Sequence, residues 1–140
     1  MDIQRKDVIV REKELRAELA KVIADNIVVP DNGIVLVERT EKSTHDFEFM
    51  GVIAMSVQGA KAIVMTSVNA GSPSLVLVQS ADADLAKKLN EAIKEGLAKC
   101  EGGAGRYKGG GAKCRYMGKV EGKWGKDEAA VVKSAVEGGA

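Results

Sequence analysis

The sequence predicts an α/β (α+β) fold, with an N-terminal amphipathic helix followed by a small sheet of three or four strands and helices packed on it. Apolar residues recur with helical spacing near both ends of the chain and in its middle. Short β-rich runs bounded by turn residues lie between these segments. The 140 residues fit one domain of common size, and a hydrophobic content of 45% is enough for a core.

The first predicted element is an amphipathic helix over residues 5–26. Its apolar face comprises Val8, Leu15, Leu19, Val22 and Ile23. Two uses of this face stay open: it covers the helix's own domain, or it is a self-association face built from Val8, Leu15, Leu19 and Val22. We therefore divide the chain into a helical lead-in over 1–27 and a globular unit over 28–140.

Turn residues and a β-rich run follow the helix. The turn signal Pro30-Asp31-Asn32-Gly33 precedes a strand over 34–37. The segment 46–58 fits a helix face, although its apolar run Val52–Met55 also allows a strand. We predict a helix, because the acidic residues Asp46 and Glu48 suit a first helical turn.

The remaining elements are three strands and two helices. Strands are predicted over 62–68 and 75–79 with a turn between them, and a short basic strand over 115–120. The clearest helix spans 84–99, and Ser80 or Asp82 can cap its start. Its apolar face consists of Leu85, Leu89, Ala92, Ile93 and Leu97. A small Ala/Val-rich helix over 127–136 closes the chain.

Positive charge and glycine concentrate in one segment, predicted to be a glycine-rich basic loop over 100–126. Residues 99–126 carry eight basic and two acidic side chains, a net charge of +6, whereas the whole chain carries +1. Nine of the 16 glycines fall between Gly102 and Gly125. Glycine lets backbone N–H groups approach a ligand, and basic side chains supply counter-charge to phosphates. This combination indicates RNA binding more than small-molecule binding.

The phosphate-binding templates for nucleotides do not fit this segment. The spacing Gly105 to Gly110 continues with Gly111-Ala112, so the Lys and Ser/Thr of a P-loop are missing. Lys108 stands where a dinucleotide fingerprint needs its third glycine. His45 is the single histidine, so no His-based catalytic or zinc constellation exists; we expect it to be a solvated loop residue before a helix.

Two cysteines, Cys100 and Cys114, form neither a CxxC pair nor a disulfide framework. The charged N-terminus lacks the apolar region of a signal peptide, and no apolar run approaches the length of a membrane span. We expect an intracellular, cytoplasmic protein with no membrane partner.

The order of elements and the glycine segment together resemble a known family. The stretch from Gly102-Gly103-Ala104-Gly105-Arg106 through Gly109-Gly110-Gly111-Ala112-Lys113 looks like the motif of the DHHA1 domain. The chain resembles the C-terminal domain of alanyl-tRNA synthetases over nearly its whole length, as a helical lead-in joined to a DHHA1-like unit.

The resemblance implies a non-catalytic domain of an alanine–tRNA ligase that acts in protein biosynthesis. Such a domain holds the outer corner of the tRNA, here tRNA-Ala, and links aminoacylation with editing. Its expected partners are the tRNA, the other domains of the parent synthetase and a second copy bound through the helical part. No cofactor is expected in this segment; ATP and zinc belong to the parent enzyme.

Candidate RNA contacts follow from residue type. The basic candidates for phosphate contact are Arg106, Lys108, Lys113, Arg115, Lys119 and Lys123. Tyr107, Tyr116 and Trp124 are candidates for stacking on bases, or alternatively for anchoring the segment to the core. Gly109, Gly110 and Gly111 are expected to present loop backbone to the ligand or to serve packing.

Two rival functions stay open beside tRNA binding. One is an oligomerisation or protein-interaction module that has lost RNA affinity, since Cys114–Gly118 departs from the Ala-Gln-Gly-Gly-like stretch of the family. The other is a small-molecule enzyme that uses the glycines as an anion site, which the missing acid–base residues disfavour.

Overall fold

The computed structural model describes residues 2–40, 45–69, 73–100, 107–122 and 124–138, with side chains from Glu14 onward except that of Ala112. The chain forms four helices and one five-stranded mixed sheet. In chain order the elements are α1 (Asp2–Asp25), β1 (Ile34–Arg39), α2 (Phe47–Ser56), β2 (Ala62–Ser67), β3 (Ser74–Ser80), α3 (Ala83–Ala98), β4 (Tyr107–Ala112), β5 (Arg115–Val120) and α4 (Lys126–Gly138).

The strands lie in the order β1-β2-β3-β5-β4. Strands β1 and β2 are parallel and are joined through α2, whereas every other neighbouring pair is antiparallel. The α+β class is confirmed, but the prediction of three or four strands was one short. The additional strand is β4, which the sequence placed inside a loop because three of its six residues are glycines.

Side chains at the starts of α2, α3 and α4 accept hydrogen bonds from free backbone donors. Asp46 caps α2 and accepts a 2.7 Å hydrogen bond from the Phe49 amide, which confirms the predicted helix in this ambiguous segment. Asp82 caps α3 and accepts from the amides of Asp84 and Leu85. In the first turn of α4, the Glu128 carboxylate accepts from the Gly125 amide at 3.1 Å.

The sheet is covered on both faces, so alternate residues along each central strand enter two separate cores. One core packs Val64, Val76 and Val78 against α3 and α4. The other packs Met65 and Leu77 against α1 and α2. Because both faces are buried, every residue of β2 is buried, and its first four residues form a continuous apolar run in the sequence.

Of the two uses that the sequence left open for the apolar face of the first helix, the structure does not show the covering of its own domain, because the helix is rotated so that this face is exposed. From Glu14 onward the buried positions are small residues, Ala20 and Ala24, and Leu15, Leu19 and Val22 are exposed by 63%, 46% and 55%. Alanine allows α1 to lie close to α2, where Arg16 pairs with Asp46 and sits 5.2 Å from the centre of the Phe49 ring. The larger side chains therefore point away from the body of the domain.

Among the described residues, no helix combines the length and the apolar character needed to cross a membrane.

The contrast between a buried and an exposed leucine gives a direct test of this packing. Leu89 of α3 has no solvent exposure, so Leu89→Ala should lower the free energy of unfolding by about 2–5 kcal/mol. Leu15→Ala, the same change at an exposed position of α1, should alter the free energy of unfolding of the monomer by less than about 0.5 kcal/mol. Urea denaturation followed by circular dichroism measures both, and equal effects would contradict the helix orientations described here.

Candidate nucleic-acid interface

Half of the basic, glycine-rich segment is a regular β-hairpin rather than a loop. Strands β4 and β5 pair without interruption from Tyr107 opposite Val120 to Ala112 opposite Arg115. The two residues between them form the turn, and Lys113 adopts a left-handed conformation with φ of 60°. The predicted loop positions Gly109, Gly110 and Gly111 thus lie within β4, and the predicted strand over 115–120 is confirmed as β5.

The register of the hairpin separates its side chains onto two faces, since opposite residues in an antiparallel pair point the same way. One face joins the core beneath α3 and α4 and includes Tyr107, Tyr116 and Val120. The opposite face lies on the α2 side of the sheet. It presents Lys108 opposite Lys119, Gly110 opposite Met117, and the side chain of Arg115. We call this second surface the basic face.

The aromatic rings hold the hairpin to the core. Tyr107 donates a 2.7 Å hydrogen bond from its hydroxyl to Asn90 Oδ1 of α3, and burial raises the pKa of Tyr107 to about 12. Its ring also covers Gly118, where an added Cβ would lie 2.5 Å from Tyr107 Cζ. Tyr116 and Trp124 pack against the same core cluster. This geometry favours the anchoring alternative for all three rings over base stacking.

Two glycines of β4 are required by close contact with β5. A Cβ on Gly111 would lie 2.8 Å from Tyr116 Cα and closer still to the Arg115 carbonyl oxygen, and one on Gly109 would collide with Met117 and Gly118 backbone. Gly110 differs, because a Cβ there would meet no atom within 4 Å. Since Gly110 belongs to the basic face, this open space indicates that nothing in the described structure covers the middle of that face.

The basic face carries an unusual cross-strand pair of like charges. Lys108 and Lys119 are opposite each other and both are exposed. Like charges at directly opposed positions destabilise a strand pair. Lys108 Nζ lies 3.3 Å from Glu121 Oε1, but both side chains are more than half exposed, so this ion pair contributes little.

The other predicted phosphate contacts are dispersed. Arg115 donates from Nε to Gln79 Oε1 at 2.8 Å and also from Nη2, and its guanidinium lies against Gly51 of α2. It therefore bonds the hairpin to β3 and lies against α2. Lys113 is exposed at the turn, at the far end of the hairpin from Lys108. Arg106 and Lys123 lie outside the described residues.

The sheet register extends the basic face beyond the hairpin, to residues that sequence reasoning missed. One row of opposed residues crosses all five strands on the α2 side: Arg39, Ser67, Leu75, Lys119 and Lys108. Arg39 is distant from the glycine segment in sequence, and only the strand order places it in this row. In the sequence, the only indication that Arg39 could belong to this surface was its positive charge at the last position of β1.

His45 is also placed differently from its prediction as a solvated loop residue. It is partly buried, with Nδ1 2.8 Å from Ser67 Oγ and Nε2 3.0 Å from the Pro73 carbonyl oxygen. These two bonds connect the start of α2 to the ends of β2 and β3. Within the described parts of the chain, no three His, Cys, Asp or Glu side chains gather as a metal site would require.

Comparison with models of known protein families finds no match, and comparison with curated proteins finds none either.

The glycine contacts predict opposite outcomes for the same substitution at neighbouring positions. Gly111→Ala should destabilise the domain by about 1–3 kcal/mol, because its Cβ would collide with β5 backbone. Gly110→Ala should fold with nearly unchanged stability, because the space above it is open. Thermal unfolding of the two variants measures the difference, and a Gly110→Ala protein as unstable as Gly111→Ala would show that the basic face is covered.

Proposed function

We propose that this chain is a non-catalytic RNA-binding domain that holds tRNA by its phosphate backbone on the basic face of the β4–β5 hairpin. The proposal places the chain at the C-terminus of a cytoplasmic alanine–tRNA ligase. The parent enzyme would supply the ATP-dependent chemistry, and this domain would hold the outer corner of tRNA-Ala and link aminoacylation with editing.

The observation that carries the proposal is the opposition of Lys108 and Lys119 beside uncovered Gly110. The fold places two cations opposite each other at an electrostatic cost, on a surface where the next position on the same face of β4 has no side chain and Met117 lies opposite it on β5. A phosphate between the two ammonium groups would turn this repulsion into two attractive contacts. The glycine would let the sugar-phosphate backbone lie close to the sheet.

The shape of the surface also favours a polyanion over a single small anion. Arg39 stands at the far end of the row that contains Lys108 and Lys119, beyond the buried Ser67 and Leu75, and Lys113 stands at the turn of the hairpin. Successive phosphates along an RNA strand would meet charges distributed in this way. The choice of tRNA, and of tRNA-Ala in particular, comes from the resemblance of the sequence to alanyl-tRNA synthetases.

The dependence of tRNA affinity on salt concentration, measured with and without Lys108 and Lys119, tests this proposal. Lys108→Ala combined with Lys119→Ala should weaken binding of tRNA and reduce the slope of log K against log salt concentration by about one, because the two lysines hold one phosphate between them. The matched control, Lys87→Ala with Lys94→Ala, removes the same charge from exposed positions of α3 and should leave the slope unchanged. Fluorescence anisotropy with tRNA-Ala and an unrelated tRNA gives the values. Equal slopes for the two double variants would refute the assigned surface.

A second candidate function, self-association, is favoured by the exposed stripe on α1. Leu15, Leu19 and Val22 are spaced by four and three residues, as in the seam of a coiled coil, and all three are exposed. A second copy of α1 packed on this stripe would remove it from water. Such a dimer is compatible with tRNA binding, because the stripe faces away from the domain while the basic face belongs to the hairpin.

An aspartate in the middle of the stripe tests self-association. Leu19→Asp should convert a dimer to a monomer, because the seam would have to bury a charge. Lys21→Asp introduces the same side chain at an exposed position off the stripe and should leave the mass unchanged. Sedimentation equilibrium measures both. A wild-type protein that remains monomeric at all accessible concentrations would exclude this function for the isolated chain.

A further inference from the structure

A cavity of about 360 Å³ lies beside Lys119, where β3 begins and β5 ends. It is on the same side of the sheet as the basic face, between the start of α2 and the strand ends. Its walls are His45, Asp46, Phe47, Pro73, Leu75 and Lys119. The cavity thus adjoins one of the two lysines to which phosphate contact is assigned.

Most polar atoms in the walls already have partners. Both ring nitrogens of His45 are bonded, one to Ser67 Oγ and the other to the Pro73 carbonyl oxygen. Asp46 Oδ1 accepts from the Phe49 amide, and Oδ2 pairs with Arg16. These groups are therefore poor donors or acceptors for a ligand.

The surface left for an occupant is mainly carbon. The half-buried ring of Phe47, the exposed Pro73 and the buried Leu75 supply it. A flat apolar or aromatic group would bury carbon surface in this cavity without breaking an existing hydrogen bond.

Among the residues that the structure describes, only one end of the cavity offers an unpaired positive charge. At the α2 end, the Asp46 carboxylate already caps the helix and pairs with Arg16, so a phosphate finds no free cation among the described residues there. Lys119 stands at the hairpin end and is exposed. The arrangement suits an occupant that is uncharged inside the cavity and anionic at its rim. One nucleotide unit of an RNA strand has this polarity.

We propose that the cavity receives one unstacked nucleobase of the bound RNA against Phe47, with the adjoining phosphate on Lys119. The proposal rests on the proposed function and adds a base-binding site to a surface that otherwise contacts only phosphates. Because the polar wall atoms are engaged, the site recognises the face of a base and does not distinguish its edges. Binding through it tolerates any base.

The experiment compares a short single-stranded oligoadenylate RNA with an abasic ribose-phosphate oligomer of the same length and charge. The wild-type protein should bind the oligoadenylate roughly tenfold more tightly, the effect of one base stacked on an aromatic ring. Phe47→Leu should abolish this preference, and Phe47→Tyr should keep it. Met55→Leu, at an exposed position of the same helix, should also keep it.

The outcomes distinguish failure of the nucleobase site from failure of the proposed function. Equal affinities of the wild-type protein for the two oligomers, or no binding of either by a protein that binds tRNA, would overturn the nucleobase site and leave the basic face intact. A preference that survives Phe47→Leu would also overturn it. Absence of salt-dependent binding to tRNA and to both oligomers would overturn the proposed function as well.

Discussion

The register between β3 and β5 is the constraint on which the candidate interface depends. Gln79 pairs with Arg115, Leu77 with Met117 and Leu75 with Lys119. Because the two faces of β3 enter two different cores, this pairing determines which side chains of β5 lie on each face of the sheet. A slip of one residue would exchange the faces of every side chain on β5. Lys119 would then enter the core beneath α3, and Val120 would leave it. The hydrophobic cores therefore determine where the positive charges lie.

The hairpin satisfies two requirements with few large side chains. Toward α3 it needs anchoring, which the Tyr107 ring provides by covering Gly118 and reaching Asn90. Toward solvent it needs an open surface, which Gly110 provides. Glycine weakens an isolated strand, since it has no side chain to pack and loses much conformational freedom on folding. In this hairpin the close approach of β4 to β5 depends on the missing side chains, and Arg115 adds a further attachment through Gln79 and Gly51.

Local patterns predicted most of the elements and little of the site. Helix α3 was predictable because Leu89, Ile93 and Leu97 recur at helical spacing and all are buried. The rotation of α1 was not, because its close packing uses Ala20 and Ala24, whose small size gives a weak signal beside the exposed leucines. Strand β4 was hidden by its glycines, whose role depends on a partner strand.

The site also depends on contacts between distant parts of the chain. The sequence placed Lys108 and Lys119 in one basic segment but could not place them face to face. The position of Arg39 in the same row could not be predicted, because it depends on the strand order. The hydrogen bond between His45 and Ser67 could not be predicted either, because it depends on where β2 ends in the folded domain. Composition thus predicted the chemistry of the surface, and non-local packing determined its geometry.

Binding of tRNA on the basic face is tested most directly by a map of backbone amide chemical shifts for the isotope-labelled protein titrated with tRNA-Ala at moderate salt. Binding at this face predicts that the changes concentrate at Lys108, Gly110 and Lys119 and extend along their row toward Arg39, while the amides of α3 and α4 stay unchanged. Changes concentrated in α3 and α4, with Gly110 and Lys119 unaffected at saturating tRNA, would contradict it.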